Sequence, residues 1–482
     1  MLADRGARLA GGLRALGMQE GDVVAVLLRN DPAYADVIRA GQIGGTYYCP
    51  LNWHLTATEL DYVLRDSGAR AVIGQADLLE AVRSILPSEC PVLSVGAAAD
   101  SNCAYESWLA AQAPYSGPSA LPRTHMVYTS GTTGRPKGVR RFPIPPDQAA
   151  GKRVQMAALV LAAMGIQPGC RALISAPLYH SAPTVFAQHA LDQAECLVLA
   201  ERFDAEETLS LIERHRIDVV YLVPVMYTRL LKLPEAVRRR YDLSTLRFVV
   251  STGAPCAPEI KRAMIEWLGP VVTETYASSE TGFVTAITSA EALSHPGSAG
   301  RPVGAAEIRI LDNQDSPCPP GVIGRIFVRQ PAYADFTYHG QDAARRAIER
   351  DGFVTLGDVG YLDAEGYLYL CDRTSDMVIS GGVNIYPTEI EHALLRCPGV
   401  LDCAVFGVPD KEFGERLLAV VQPDPGAPRA ADALIGRLRL ELAGFKIPRT
   451  IEWVDALPRD DNGKVAKRRL REPYWRDRAR RI

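Results

Sequence analysis

Residues 128–138 read Tyr-Thr-Ser-Gly-Thr-Thr-Gly-Arg-Pro-Lys-Gly. Thr129, Ser130, Gly131, Thr132, Thr133 and Gly134 are all hydroxylated or glycine, and Lys137 follows them. Glycine permits positive φ and close backbone approach. Successive backbone N–H groups with hydroxyls make an anion-binding concavity, and Lys137 adds a mobile positive charge. The stretch therefore reads as a loop that grips a polyphosphate. It is not a Walker A loop, because Gly-Lys-Ser/Thr does not occur in it. The plainer reading is a flexible polar turn after a short strand at 126–129. Such a turn has no need of four Ser/Thr, three Gly and a Lys in so short a span.

The chain around this loop alternates helical and strand-like segments. Residues 5–16 put Leu9, Leu13 and Leu16 on one helical face. Strands at 23–28, 46–49 and 71–73 alternate with helices at 33–44 and 56–67, the pattern of an α/β domain. The chain opens inside a helical pattern with no strand before it, which reads as a late start or a missing edge element. Beyond the loop come a helix at 148–164, strands at 171–175, 217–223 and 246–251, and a helix at 259–268. From Gly300 the texture changes to alternating strands at 306–310 and 323–328, with a turn at 363–366. The polar run Asp372, Arg373, Thr374, Ser375, Asp376 marks a boundary. It divides the chain into a domain over 1–374 and a second over 375–482, a length usual for one small domain. In the second, helices are expected at 389–395 and 431–442 and strands at 400–408 and 418–422.

Composition narrows the class. A chain of 482 residues suggests more than one domain. A net charge of −3 gives no global field for nucleic acid or an anionic membrane. The basic C-terminus reads as a solvated tail. Ten scattered cysteines without a Cys-x-x-Cys pair argue against a zinc site and a secreted disulfide scaffold. No run of about 18 apolar residues indicates a transmembrane helix, and no signal peptide is visible. The expected compartment is the cytoplasm.

Four further segments carry candidate chemistry. The first runs from Thr273 through Glu274, Tyr276, Ala277, Ser279 and Glu280 to Gly282. A carboxylate among small and hydroxylated residues suits a Mg²⁺ that bridges phosphate oxygens. Glu280 carries the stronger case; for Glu274 a solvated loop acid is an equal alternative. Tyr276 is placed to stack on a base. The second is Asp358, an acid after glycine, which can accept from ribose hydroxyls with Arg373 answering it. The plain alternative for Arg373 is a surface ion pair with Asp372 or Asp376. The third is His180 in Pro-Leu-Tyr-His-Ser-Ala-Pro, where a structural histidine is an equal alternative. The fourth is Asn462-Gly463-Lys464. Asn-Gly is a hairpin signal, and it presents Lys464 at a tip, where an ammonium can meet an anion developing in a transition state; read alone, Lys464 is a surface lysine.

Taken together, these motifs and their order resemble the adenylate-forming superfamily of acyl-CoA synthetases, peptide synthetase adenylation domains and luciferases, over residues 11–467. The resemblance implies a large N-terminal α/β domain of β-sheets packed with helices plus a distorted small β-barrel. A small mobile α+β C-terminal domain follows. It implies ATP, Mg²⁺ and coenzyme A, with Thr129 to Gly134, Lys137, Tyr276, Ser279, Asp358 and Arg373 on the nucleotide, and Glu280 with Thr132 on the metal. Lys464, Glu280 and His180 become the catalytic set, and Ser375 the hinge. The family's acyl pocket maps to His180, Ser181, Ala182, Val225, Gly253, Ala254 and Ala277. Coenzyme A maps to Gly381, Gly382 and Lys446.

The forms of residues 380–391 and 444–449 are similar to those of CoA ligases. The absence of an insertion at 365–376, and of a following carrier domain, leans away from acyl-AMP ligases and peptide synthetase modules. The expected reaction joins a carboxylic acid to coenzyme A through acyl-AMP. The pocket stretches hold no Arg or Lys and several small residues, which implies an apolar acid: fatty, aryl or bulky and steroid-like. Alternatives are an acyl-AMP ligase that serves a carrier protein and a non-catalytic acyl- or ATP-binding homologue. Luciferases share most of the motifs. The partners expected are small molecules, with no nucleic acid or integral membrane association, and a homodimer is allowed. Three departures stand out: Ala277 and Ser279 replace the common Gly and Thr, Ser375 stands where Asp or Lys is usual, and the N-terminus is short for the family.

Overall fold

The computed structural model describes residues 2–96, 104–129, 135–373, 376–381, 383–459 and 465–476. It divides into two compact units, one of Met1–Glu307 with Val328–Val354, the other of Ile308–Phe327 with Thr355–Ile482. Among the described residues, no helix is long and apolar enough to cross a membrane.

The first unit holds two largely parallel sheets. Tyr47–Pro50, Val23–Leu27, Ala69–Gln75 and Val92–Val95 lie side by side in that order, all parallel. Val23–Leu27 is buried along its whole length. A parallel strand covered on both faces needs such an unbroken apolar run. The second sheet has seven strands, ordered Arg301–Pro302, Gly282–Thr288, Val272–Ser278, Phe248–Ser251, Val219–Leu222, Arg171–Ile174 and Cys196–Leu199. Its last five are mutually parallel, and Gly282–Thr288 turns back antiparallel on Val272–Ser278. A small antiparallel sheet joins Phe336–Tyr338, Lys137–Arg141 and Val127–Thr129.

Helices cover these sheets where the apolar periodicity places them. The first runs Leu2–Ala15 with Leu9 and Leu13 buried. Pro146–Met164 ends at Gly165, which takes φ 68° as a left-handed cap. Ala57–Asp66 starts on a Thr56–Glu59 capping box. One expectation needs correction. Glu274 is not a loop acid, because the strand continues through it and Tyr276 to Ser278. Thr273, Thr275 and Tyr276 are β-favouring residues, and both edges of the segment find partners.

In the second unit, Asp358–Leu362 and Leu368–Arg373 form a hairpin. Its turn is held by Asp363 Oδ1, which accepts from the backbone N–H groups of Glu365 and Tyr367 at 2.9 Å each. A further sheet pairs Val400–Asp410 with Gly414–Pro423, and Thr450–Trp453 adds in parallel. Along Val400–Asp410, Cys403 and Val405 enter one apolar cluster, with Ile390, Leu394 and Leu438. Ala404, Phe406 and Val408 enter another, with Leu418 and Leu457. This sheet is thus covered on both faces, by helices Pro387–Leu395 and Ala431–Glu441 on one side and Lys467–Trp475 on the other.

Candidate active site

Within the first unit, side chains from Val127–Thr129, Lys137–Arg141 and Phe336–Tyr338 gather around Glu280. The residue is 8% exposed. Oε1 accepts from the Tyr338 hydroxyl at 3.1 Å and from the Thr129 hydroxyl at 3.4 Å. Lys137 holds its ammonium 5.0 Å from the Tyr338 ring centroid. Thr129 and Lys137 face each other across the Val127–Thr129 and Lys137–Arg141 pair. Burial pushes the Glu280 carboxyl above its ordinary range; hydrogen bonds from its own N–H, Tyr338 and Thr129, and the Arg141 charge, oppose the shift.

The turn that presents Glu280 is fixed from several sides. Arg141 donates to the carbonyls of Ser279 and Glu280, both at 2.9 Å, and to Ala334 at 2.8 Å. Its guanidinium lies 4.6 Å from the Tyr333 ring centroid. Ser278 accepts from the Thr281 backbone N–H at 2.9 Å, and their hydroxyls are 2.7 Å apart. Gly282 takes φ 72°, and a Cβ there would come within 2.1 Å of the Tyr333 ring. Only glycine satisfies both conditions.

Glu274, six residues earlier, has a different environment. It lies 2.5 Å from the Lys261 ammonium, and both side chains are buried. The equal alternatives of metal ligand and solvated loop acid both fall: Glu274 is one half of an internal ion pair.

His180 stands just before the helix Ser181–Gln193 in extended backbone, φ −91° and ψ 150°. The segment leading to it is pinned by Asn30, which donates to the carbonyls of Ala176 and Ala200 at 3.0 and 2.9 Å and accepts from Leu178 N–H at 2.9 Å. The Thr184 hydroxyl donates to the Leu178 carbonyl. Ser181 meets His125 Nε2 at 3.1 Å. Burial, with the nearby Arg141 and His189, holds His125 down to about 3, so this imidazole is neutral. Ala182, Val225 and Ala277 pack against one common core. Gly253 takes φ 87° in open space beside Val223, and Ala254 follows it.

In the second unit, Asp358 and Arg373 are register partners across the hairpin, with Nε 3.3 Å from Oδ1. Arg373 thus meets the acid that was expected to share its site. Gly381 has φ 56°, and a Cβ there would lie 3.1 Å from the Phe413 ring. Lys446 pairs with Glu389 at 2.6 Å. Arg459 and Val465 form an antiparallel bridge, as the expected hairpin requires of its flanks. Lys467 pairs with Glu391 at 2.8 Å. Ser130, Gly131, Thr132, Thr133, Gly134, Ser375, Gly382 and Lys464 lie outside the described residues.

Sequence reasoning missed Tyr338, Arg141, Asn30 and His125. Alternation in Phe336–Tyr338 signals a strand but not what its tyrosine touches. Among the described residues no group of three His, Cys, Asp or Glu is placed to hold a metal ion.

Residues 1–335 match the family model described as AMP-binding enzyme, and 389–464 match AMP-binding enzyme C-terminal domain. The chain is 36% identical to a feruloyl-CoA synthase from an Amycolatopsis species, over 98% of this chain and 93% of that protein. It is 30% identical to the fatty acid–[acyl-carrier-protein] ligase ScoC of Streptomyces coeruleorubidus, over 98% and 91%. The structure of the amide bond synthetase McbA from Marinactinospora thermotolerans superposes with a TM-score of 0.87 at 28% identity, covering 98% of this chain and 94% of that one.

Proposed function

The chain belongs to the AMP-binding enzymes, and from that premise we propose that it activates an aromatic acid with an apolar body, of the hydroxycinnamate kind, and passes it to coenzyme A. The reaction class is ATP-dependent, AMP-forming acid–thiol ligation through an acyl-adenylate. The choice of acid is carried by one observation: the relative that is 36% identical over 98% of the chain is a feruloyl-CoA synthase. The absence of Arg and Lys from residues 180–184, 225–226, 251–254 and 276–278, which suits an apolar body, supports it.

In the first step a carboxylate oxygen attacks the α-phosphorus of ATP, a C–O–P bond forms, and pyrophosphate leaves. The loop from Thr129 to Gly134 and Lys137 hold the departing phosphates. Tyr276 carries the adenine; Asp358 and Arg373 hold the ribose. Glu280, with Thr132, would hold a magnesium ion whose charge offsets that of the leaving pyrophosphate. The fit is chemical: Glu280 receives hydrogen bonds from two hydroxyls and has no carboxylate cluster beside it among the described residues. Lys464 meets the charge developing at the α-phosphate; fixed cations and donors at such a point lower the barrier most.

In the second step the domain from residue 375 onward rotates about Ser375 and withdraws Lys464. Gly381 and Gly382 then admit a thiol, with Lys446 beside it. Sulfur attacks the acyl carbon, AMP leaves, and the thiol proton passes to solvent. His180 lines the passage. Such gating motions set the pace of many enzymes. We place this chemistry in the cytoplasm, where ATP and coenzyme A are supplied.

The test is a carboxylate panel with ATP, Mg²⁺ and coenzyme A, read by mass as acyl-CoA. Hydroxycinnamates should lead benzoates and long-chain fatty acids in kcat/KM. A leading long-chain fatty acid would overturn the proposed acid. Accumulation of acyl-AMP that coenzyme A never accelerates would transfer the chain to the acyl-AMP ligases. Lys464→Ala should abolish adenylate formation yet leave preformed acyl-AMP convertible to thioester.

A further inference from the structure

Both described ends of the phosphate-loop segment meet one short helix that the loop motif does not include. Ala57–Asp66 carries Tyr62 and Asp66 one turn apart, so both side chains lie on one face. The Tyr128 hydroxyl, on the strand that enters the segment, donates to Asp66 Oδ2 at 2.6 Å. On the strand side that leaves it, the Tyr62 hydroxyl donates to the Pro136 carbonyl at 3.0 Å. The Arg135 guanidinium lies 5.2 Å from the Tyr62 ring centroid. The two tyrosine rings meet edge to face, centroids 6.4 Å apart at 88°. Opposite Tyr128 stands Gly138, its register partner, where a Cβ would reach to 3.0 Å of the tyrosine ring. The ring therefore lies close over Gly138 of the partner strand, and its hydroxyl is directed at Asp66.

The helix can bear this load. A capping box at Thr56 and Glu59 starts it, and Leu60, Val63 and Leu64 are buried against the four-stranded sheet's core. One rigid element thus fixes the entry and the exit of residues 130–134.

We propose that Tyr62 and Asp66 are positioning residues that hold the two ends of the phosphate loop at a set separation before nucleotide arrives. Among the described residues their hydroxyl, carboxylate and ring contacts are to Tyr128, Arg135 and Pro136, so the effect expected is on polyphosphate binding. A held loop loses less freedom on binding, and so binds more tightly. The proposal rests on the nucleotide reading of the loop, not on the identity of the acid.

The test uses the full chain with Tyr62→Phe, Asp66→Ala and Asp66→Asn. Tyr62→Phe removes one hydroxyl and keeps the ring contacts. Asp66→Asn keeps an oxygen that can accept from Tyr128, whereas Asp66→Ala does not. KM for ATP should rise roughly tenfold in Asp66→Ala, the scale of a lost charge-assisted hydrogen bond, and severalfold in Tyr62→Phe. Asp66→Asn should recover most of the loss. KM for the acid, and the conversion of supplied acyl-AMP to thioester, should stay within about twofold of wild type. Equal losses in both half-reactions, or an unchanged KM for ATP, would overturn the clamp. The rise in Tm on adding Mg·ATP alone separates this from the proposed reaction. If ATP raises Tm in wild type and much less in the variants while no acid of the panel releases pyrophosphate, the clamp stands and the ligase reading falls. If the variants keep the wild-type shift, the clamp falls whatever the acid.

Discussion

Glu274 and Glu280 stand six residues apart on one stretch of chain, both buried, and burial pushes both carboxyls up. Their partners differ in kind. Glu274 meets an ammonium, Lys261, at 2.5 Å, which neutralises it within the protein. Glu280 meets the hydroxyls of Tyr338 and Thr129, which orient a carboxylate without cancelling its charge. The first glutamate has its countercharge inside the protein; the second has hydroxyl donors on its carboxylate, which is the arrangement the proposed magnesium site calls for. Proximity in sequence and depth of burial are shared by the two acids; what separates them is the formal charge on the groups their carboxylates touch. The Arg141 guanidinium marks the same difference, since it donates to the backbone carbonyls of the Glu280 turn and leaves the carboxylate to the hydroxyls.

The largest effect that separates the two acids is one of stability. Lys261→Met leaves Glu274 buried without its cation, and should cost about 3–5 kcal/mol in chemical denaturation. Lys261→Met with Glu274→Leu should recover most of that loss. A single variant within about 1 kcal/mol of wild type would show that Glu274 is not the internal ion pair's anion. Glu280→Gln should do the reverse. Pyrophosphate release should fall by about 100-fold, the scale for a group that stabilises transition-state charge. Stability should hold or increase, because an amide is cheaper to bury than a carboxylate. Residual activity within threefold of wild type would remove Glu280 from the metal site.

Much of this contrast could be read locally and some of it could not. The hydroxyl- and glycine-rich run at 129–134, Glu280 and the Asp358–Arg373 pair stand out in the sequence by residue types packed into short windows. The α/β alternation is legible for the same reason: Val23–Leu27 and Val219–Leu222 are unbroken apolar runs. What failed was reach. Tyr338 comes to Glu280 across 58 residues, and Arg141 to Ser279 across 138. No periodicity links positions that far apart. The strand through Tyr276 was missed because small and hydroxylated residues look like loop until a partner strand appears on each side. The fate of Glu274 was likewise hidden, since Lys261 comes from a separate helix, Pro258–Leu268, packed beside its strand.

The same comparison sharpens into a pH test. Glu280 in the folded chain takes up its proton more readily than in the unfolded chain, because burial disfavours the carboxylate. Between the two pKa values the folded state binds more protons, so stability is present below the ordinary carboxylate pKa of about 4.3 and is lost as pH rises through the raised folded value. Wild type, without ligand, should therefore lose Tm relative to Glu280→Gln across that window, and Mg·ATP should restore it. Two curves that stay parallel would mean that Glu280 is ionised at no cost.

Tyr338→Phe gives the smallest and most discriminating effect. It removes one hydroxyl that favours the charged carboxylate and leaves the ring under Lys137. One hydrogen bond to a charged group contributes about 1.5–3 kcal/mol at most, and water can replace part of it. Pyrophosphate release at neutral pH should fall severalfold, and the acid limb of its pH profile should move to higher pH, because a less stabilised carboxylate protonates sooner. A fall in rate with an unmoved acid limb would show that Tyr338 shapes the site without setting the charge of Glu280. The hydroxyl shell would then be scaffolding for this acid, as the strand's other partners are for Glu274.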